Sequence, residues 1–130
     1  MNTRTWTVGN VTITRIVELQ AVRTPEFGYR NLTTETIREQ SWLTPHFATE
    51  NGELKSAIQA FVLESDGQRI IVDTCVGNDK PRRNEAWNHM QGSFLADLDA
   101  AGYPPASIDT VLCTHLHVDH VGWNTRWNEG

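Results

Sequence analysis

Thr114-His115-Leu116-His117-Val118-Asp119-His120-Val121-Gly122 places three imidazoles and one carboxylate within six residues. Imidazole nitrogen and carboxylate oxygen are donors that Zn²⁺ and similar divalent ions accept. The chain has five histidines, and three of them lie in this run. On an extended segment, side chains two apart share a face. His115 and His117 can therefore address one ion together, while Leu116 and Val118 turn toward the interior. Asp119 and His120 are neighbours and diverge unless the backbone turns, and a turn would aim them at a second ion beside the first. The spacing thus predicts two metal sites sharing one loop, with His115 and His117 as one ligand pair and Asp119 and His120 as the other. Gly122 lets the chain bend or pack closely just afterwards.

Working outward from this run, Ile108 to Cys113 reads as a short buried strand that delivers it. Ser93 to Ala101 is a helix candidate, with Ser93 as N-cap, Phe94, Leu95 and Leu98 on its apolar side and Gly102 as its stop. Pro104-Pro105 prevents the helix from continuing. Val76 to Asn88 is polar and rich in Gly, Pro and Arg, and reads as a surface loop. Ala57 to Glu64 and Arg69 to Asp73 are β-favouring runs around Ser65-Asp66-Gly67-Gln68, a hairpin signal. Thr33 or Thr34 can cap a short helix through Gln40. Gln20 to Leu32 reads as a loop, and Ser41 to Phe47 as an irregular, aromatic-rich segment. Near the start, Thr5 to Val8 and Val11 to Leu19 read as strands joined at Gly9-Asn10. In the second of these, Val11, Ile13, Arg15, Val17 and Leu19 alternate with Thr12, Thr14, Ile16 and Glu18, a period-two pattern that fits a half-buried strand. Strands, hairpin, helix, strand and metal loop in that order predict an α/β layer protein whose site lies at the exit of a strand.

With 130 residues, the chain is expected to be one domain or part of one. A net charge of −5 with no basic stripe argues against nucleic acid or an anionic membrane as partner. Lys80, Arg82 and Arg83 form the one dense basic spot and read as a solvated loop. Cys75 and Cys113 are too few for a disulfide scaffold and read as small buried hydrophobes. No secretory leader opens the sequence and no apolar stretch reaches membrane-spanning length, so a cytoplasmic protein is expected. The isolated His46 and His89 read as surface or packing residues. Among Trp42, Trp87, Trp123 and Trp127, Trp123 is the best placed to line a pocket, because it directly follows the metal loop.

The run His-x-His-x-Asp-His after an apolar strand resembles the hallmark of the metallo-β-lactamase superfamily. Gly122-Trp123-Asn124 is similar to the continuation in its lactonase-like and organophosphate-hydrolase-like members. Ile70-Ile71-Val72-Asp73-Thr74 also resembles the family, in which an aspartate closes a strand near the metal loop and supports it. Here Asp73-Thr74-Cys75-Val76-Gly77 carries its glycine two residues later than the commoner Asp-Thr-Gly form, which predicts a longer turn. The resemblance implies an αββα sandwich, represented by its N-terminal half, with residues 1–130 as one domain truncated at its C-terminus. It assigns His115 and His117 to a first metal, Asp119 and His120 to a second, and Asp73 to a supporting role behind them. In the family, a further histidine, a bridging aspartate and a last histidine come from later segments.

The chemistry so implied is hydrolysis of an ester, lactone or phosphoester by a metal-bound hydroxide, since coordination lowers the pKa of water toward ~7. The cofactors would be two divalent ions, zinc first, with iron, manganese or cobalt as other occupants. Asp119 would also orient the hydroxide or relay a proton to the leaving group of a small-molecule substrate. Two other readings stand beside this one. One is an iron-dependent oxidoreductase of the same fold. The other is a non-catalytic metal-binding fragment, because the later ligands are absent.

Overall fold

The computed structural model describes residues 3–127. Its five strands are β1 (Arg4–Val8), β2 (Val11–Arg23), β3 (Leu54–Ser65), β4 (Gln68–Val72) and β5 (Thr110–Leu112), and they form one sheet in that order. β1 and β2 are antiparallel, as are β3 and β4, whereas β5 runs parallel to β4. A parallel neighbour requires a crossover, and α2 (Phe94–Ala100) lies within the one that joins β4 to β5. The fold is therefore a mixed α/β sheet, consistent with the architecture that the motif implies. The described residues contain one sheet, whereas an αββα sandwich comprises two.

By compactness the chain divides into two units, residues 1–18 with 58–130, and residues 19–57. The smaller unit holds α1 (Thr34–Arg38), which begins as expected: the Thr33 hydroxyl accepts the Thr36 N–H at 3.3 Å. The expected loop from Gln20 is shorter than anticipated, because β2 continues to Arg23 and a 3-10 turn follows at Pro25–Phe27.

In the larger unit, both hairpin turns follow from their residues. Gly9 takes φ 60° between Val8 and its partner Val11. Asp66 and Gly67 take φ 50° and 77° between Ser65 and Gln68. Positive φ at both central positions matches the right-handed twist of the flanking strands. The core gathers Ile16, Ala60, Val62, Ile71, Cys75, Phe94, Leu98 and Tyr103. Phe94 and Leu98, four residues apart, present one face of α2 to it. Ser93 does not cap the backbone of α2; its hydroxyl donates to Asp97 Oδ2 at 2.7 Å instead. Gly102, at φ 92°, ends the helix, and the Tyr103 N–H returns to Leu98 O.

Two expectations about burial are corrected. In β2 the most buried side chains are Thr14 and Ile16, not those of the Val11–Ile13 phase. Thr14 is tolerated on the inner face because its hydroxyl bonds Tyr103 Oη and Thr5 Oγ1, both at 3.1 Å. In β5, Val111 and Leu112 are 48% and 50% exposed rather than buried. β5 is the sheet's edge, so β4 flanks it on one side only.

Leu98→Ala would leave a cavity under α2 and should lower the unfolding free energy by about 3 kcal/mol. Urea denaturation followed by circular dichroism measures the loss.

Candidate functional site

Asp73, at the end of β4, organises the approach to the histidine run. Its N–H donates to Leu112 O at 2.8 Å, which continues the β4–β5 pairing by one step. Its φ of 57° then turns the chain, a left-handed conformation that aspartate tolerates better than most residues. Oδ1 accepts the Thr114 N–H at 2.8 Å, and the Thr114 hydroxyl reaches both carboxylate oxygens at 2.9 and 3.1 Å. His120 Nδ1 lies 2.9 Å from Oδ2. Burial alone would raise the Asp73 pKa. The Thr114 N–H, followed by His120 and the Thr114 hydroxyl, outweighs it and holds the carboxyl below the usual carboxylate range.

A second set of bonds zips residues 74–77 to residues 120–124. Thr74 N donates to His120 O, Gly122 N to Cys75 O and Trp123 N to Thr74 O, at 2.7 to 2.8 Å. The Thr74 hydroxyl donates to Asn124 Oδ1 at 2.6 Å. Cys75 and Gly77 take φ 55° and 78°, so three of the five residues from 73 to 77 are left-handed. Cys75 itself occupies a conformation that favours glycine. Gly77 and Gly122 meet backbone to backbone: a Cβ on Gly122 would overlap the Val76 carbonyl, and one on Gly77 would lie 2.8 Å from Gly122 C and O.

The run from Cys113 onward is bent and turned rather than extended. The strand rule therefore does not extend into it, and Leu116 is 82% exposed instead of facing inward. Val118 is also exposed. His120 N donates to His117 O at 3.0 Å, closing the turn expected near Asp119. That turn brings the His120 ring to 4.0 Å from the His115 ring, centroid to centroid, while His117 lies 4.5 Å from His115 on an edge-to-face contact. Asp119 Oδ2 is 3.5 Å from His120 Nε2. The Thr114 hydroxyl sits 3.1 Å from His115 Nδ1.

The donor types in this loop suit a divalent cation, but their arrangement does not complete a site. His120 has Asp73 at one ring nitrogen and Asp119 at the other. Among the described residues, no group of three or more His, Cys, Asp or Glu side chains is disposed to hold a metal ion together. The structure therefore brings His115, His117, Asp119 and His120 into one neighbourhood without joining them as a ligand shell.

A model of the metallo-beta-lactamase superfamily matches residues 55–129, more than half of the chain. The chain belongs to that superfamily. Among solved structures, it resembles the hydrolase AbOPH of the beta-lactamase superfamily at 24% identity and a TM-score of 0.65, over 92% of this chain and 38% of that one. The dizinc quorum-quenching lactonase AidC aligns at 16% identity and a TM-score of 0.66, over 92% of this chain and 38% of AidC. A probable metal-dependent hydrolase from Staphylococcus aureus aligns at 19% and 0.65, over 90% of this chain and 42% of that one. At these identities the likeness concerns the fold. The chain spans about two fifths of the length of these three proteins. No curated protein matches it in sequence.

Several other residues singled out in the sequence lie at the surface. His46, His89, Trp42 and Trp127 are exposed. The Trp123 ring stacks on Phe94 at 6.0 Å and its indole N–H donates to Glu18 Oε1 at 2.7 Å. Sequence reasoning missed Glu18. The available signal was an acidic residue two positions from Ile16 on the same strand face. Cys75 is buried as expected, whereas Cys113 is half-buried.

Gly122→Ala should cost at least about 3 kcal/mol, because the new Cβ meets backbone that cannot move aside. Gly28→Ala, where nothing lies within 4 Å of the added carbon, should stay near neutral in the same thermal melts. Burial, followed by the charges of Glu18, Asp73 and Asp119, pushes the Cys75 thiol well above its ordinary pKa. In native protein Ellman's reagent should therefore leave Cys75 unmodified, and guanidinium should expose it. Mass spectrometry of the labelled peptides identifies which thiol has reacted.

Proposed function

We propose that this chain is the loop-bearing, N-terminal part of a metal-dependent hydrolase acting on a small ester, lactone or phosphoester, and that residues 1–130 alone bind metal weakly and turn nothing over. The observation that carries this reading is the His115–His120 loop itself, pinned at Asp73 with its rings gathered but with no group of three ligands among the described residues. Membership of a superfamily rich in hydrolases supports the activity class. The likeness in fold to the dizinc lactonase AidC and to the hydrolase AbOPH supports the substrate range.

In this reading His115, His117, Asp119 and His120 are ligand donors, with zinc the first occupant. Asp73 orients His120 through Nδ1 and fixes the start of the loop through Thr114. Imidazole ligands are commonly held this way by a carboxylate at the other ring nitrogen. Asp119 is also the candidate proton carrier. Residues 1–130 form one domain that continues beyond Gly130, and the substrate is encountered in the cytoplasm. Among the described residues, no helix is long and apolar enough to cross a membrane.

Isothermal titration with zinc should show weak binding by residues 1–130, removed by His117→Ala or Asp119→Ala. Asp73→Ala should weaken it roughly ten- to hundredfold. Assays with p-nitrophenyl acetate, an acyl-homoserine lactone and paraoxon should give no turnover that a chelator abolishes. Robust chelator-sensitive turnover would refute the fragment reading, and absence of any zinc binding would refute the ligand assignment.

A further inference from the structure

We infer that Glu18 is a positioning residue for the histidine loop, binding one limb of the zip that frames it through two backbone N–H groups and the other through the Trp123 indole. Glu18 Oε2 accepts the Val76 N–H at 2.7 Å. Oε1 accepts the Gly77 N–H at 3.1 Å and the Trp123 indole N–H at 2.7 Å. One carboxylate on β2 thereby holds residue 76, residue 77 and residue 123 at once. The first two lie on the limb that begins with Asp73, and the third follows directly on the histidine run.

The chemistry of this contact is specific to a carboxylate. Two successive backbone N–H groups beside left-handed residues form a small concavity that suits an anion. Cys75 and Gly77 supply those left-handed conformations. Val76 and Gly77 are buried, so a lost acceptor leaves buried donors unsatisfied. Glutamine offers one acceptor oxygen where three donors converge from two sides, and its amide N–H₂ would face a donor. Aspartate is one methylene shorter. Glu18 also shares a strand face with Thr14 and Ile16, so the register of β2 in the sheet is transmitted to the loop.

Any consequence for metal binding rests on the proposed ligand role of the loop, but the placement of the loop by Glu18 does not. The test is nuclear magnetic resonance of the labelled 130-residue chain. Glu18→Gln should speed amide exchange at Val76 and Gly77 roughly tenfold. It should also move the Trp123 indole N–H signal and shift or broaden the ring signals of His115, His117 and His120. Tyr103→Phe serves as the control for general destabilisation, since it removes a hydroxyl bonded to Thr14 and Glu64 in the same sheet. It should leave the three histidine signals in place. If Glu18→Gln does not fold, Trp123→Phe removes one donor and keeps a ring, and should shift the histidine signals more modestly. Unmoved histidine signals in the folded variant, or equal movement in Tyr103→Phe, would overturn the inference. Zinc added to the wild-type chain separates the two claims: histidine signals that ignore zinc sink the ligand assignment and leave the Glu18 result standing.

Discussion

The hydrogen-bonded zip between residues 73–77 and 120–124 is the constraint on which the candidate site depends. The register of β4 and β5 ends at Val72 and Leu112, and the Asp73 N–H to Leu112 O bond carries it one step further. Order is carried forward by Asp73, which closes on Thr114 and His120, and by backbone bonds that run from Thr74 and Cys75 to the far side of the loop. The histidine run lies between these two attachments. The exposed His115 and His117 rings thus stand on a frame in which residues 74–77 and Gly122 are buried. Bonds to an ionised carboxylate are about twice as strong as neutral ones, which suits Asp73 and Glu18 to closing such a frame.

Local signals account for what was legible in the sequence. The Asp66-Gly67 hairpin, the Gly9 turn and the Thr33 cap each depend on residues a few positions apart, and each forms where the residue types require it. The metal-type donor cluster was equally plain, because six consecutive residues carry it. One group of errors concerns partners distant in sequence. The inner face of β2 carries Thr14 and Glu18 because Tyr103, Val76 and Trp123 come to meet them. Periodicity alone ranked those polar positions as outward. Leu116 and Val118 point to solvent because the strand rule lapses at Cys113, where β5 has already ended.

Family membership and the geometry of the loop agree on the kind of chemistry and differ on its completeness. The superfamily match covers the hairpin, the crossover helix and the whole histidine run. The relatives that share the fold are more than twice as long. Among the described residues the support of the loop is built, whereas no group of three ligand-type side chains is gathered on it.

The close approach of Gly77 and Gly122 bears on how such a loop can be moved or altered. The two backbones touch where no side chain fits between them, so neither position can vary independently of the other. A nine-residue histidine motif grafted into a foreign scaffold would leave behind the surface against which it is shaped. The transferable unit is a pair of segments, one of them more than forty residues upstream, and it carries its geometry only when both travel together.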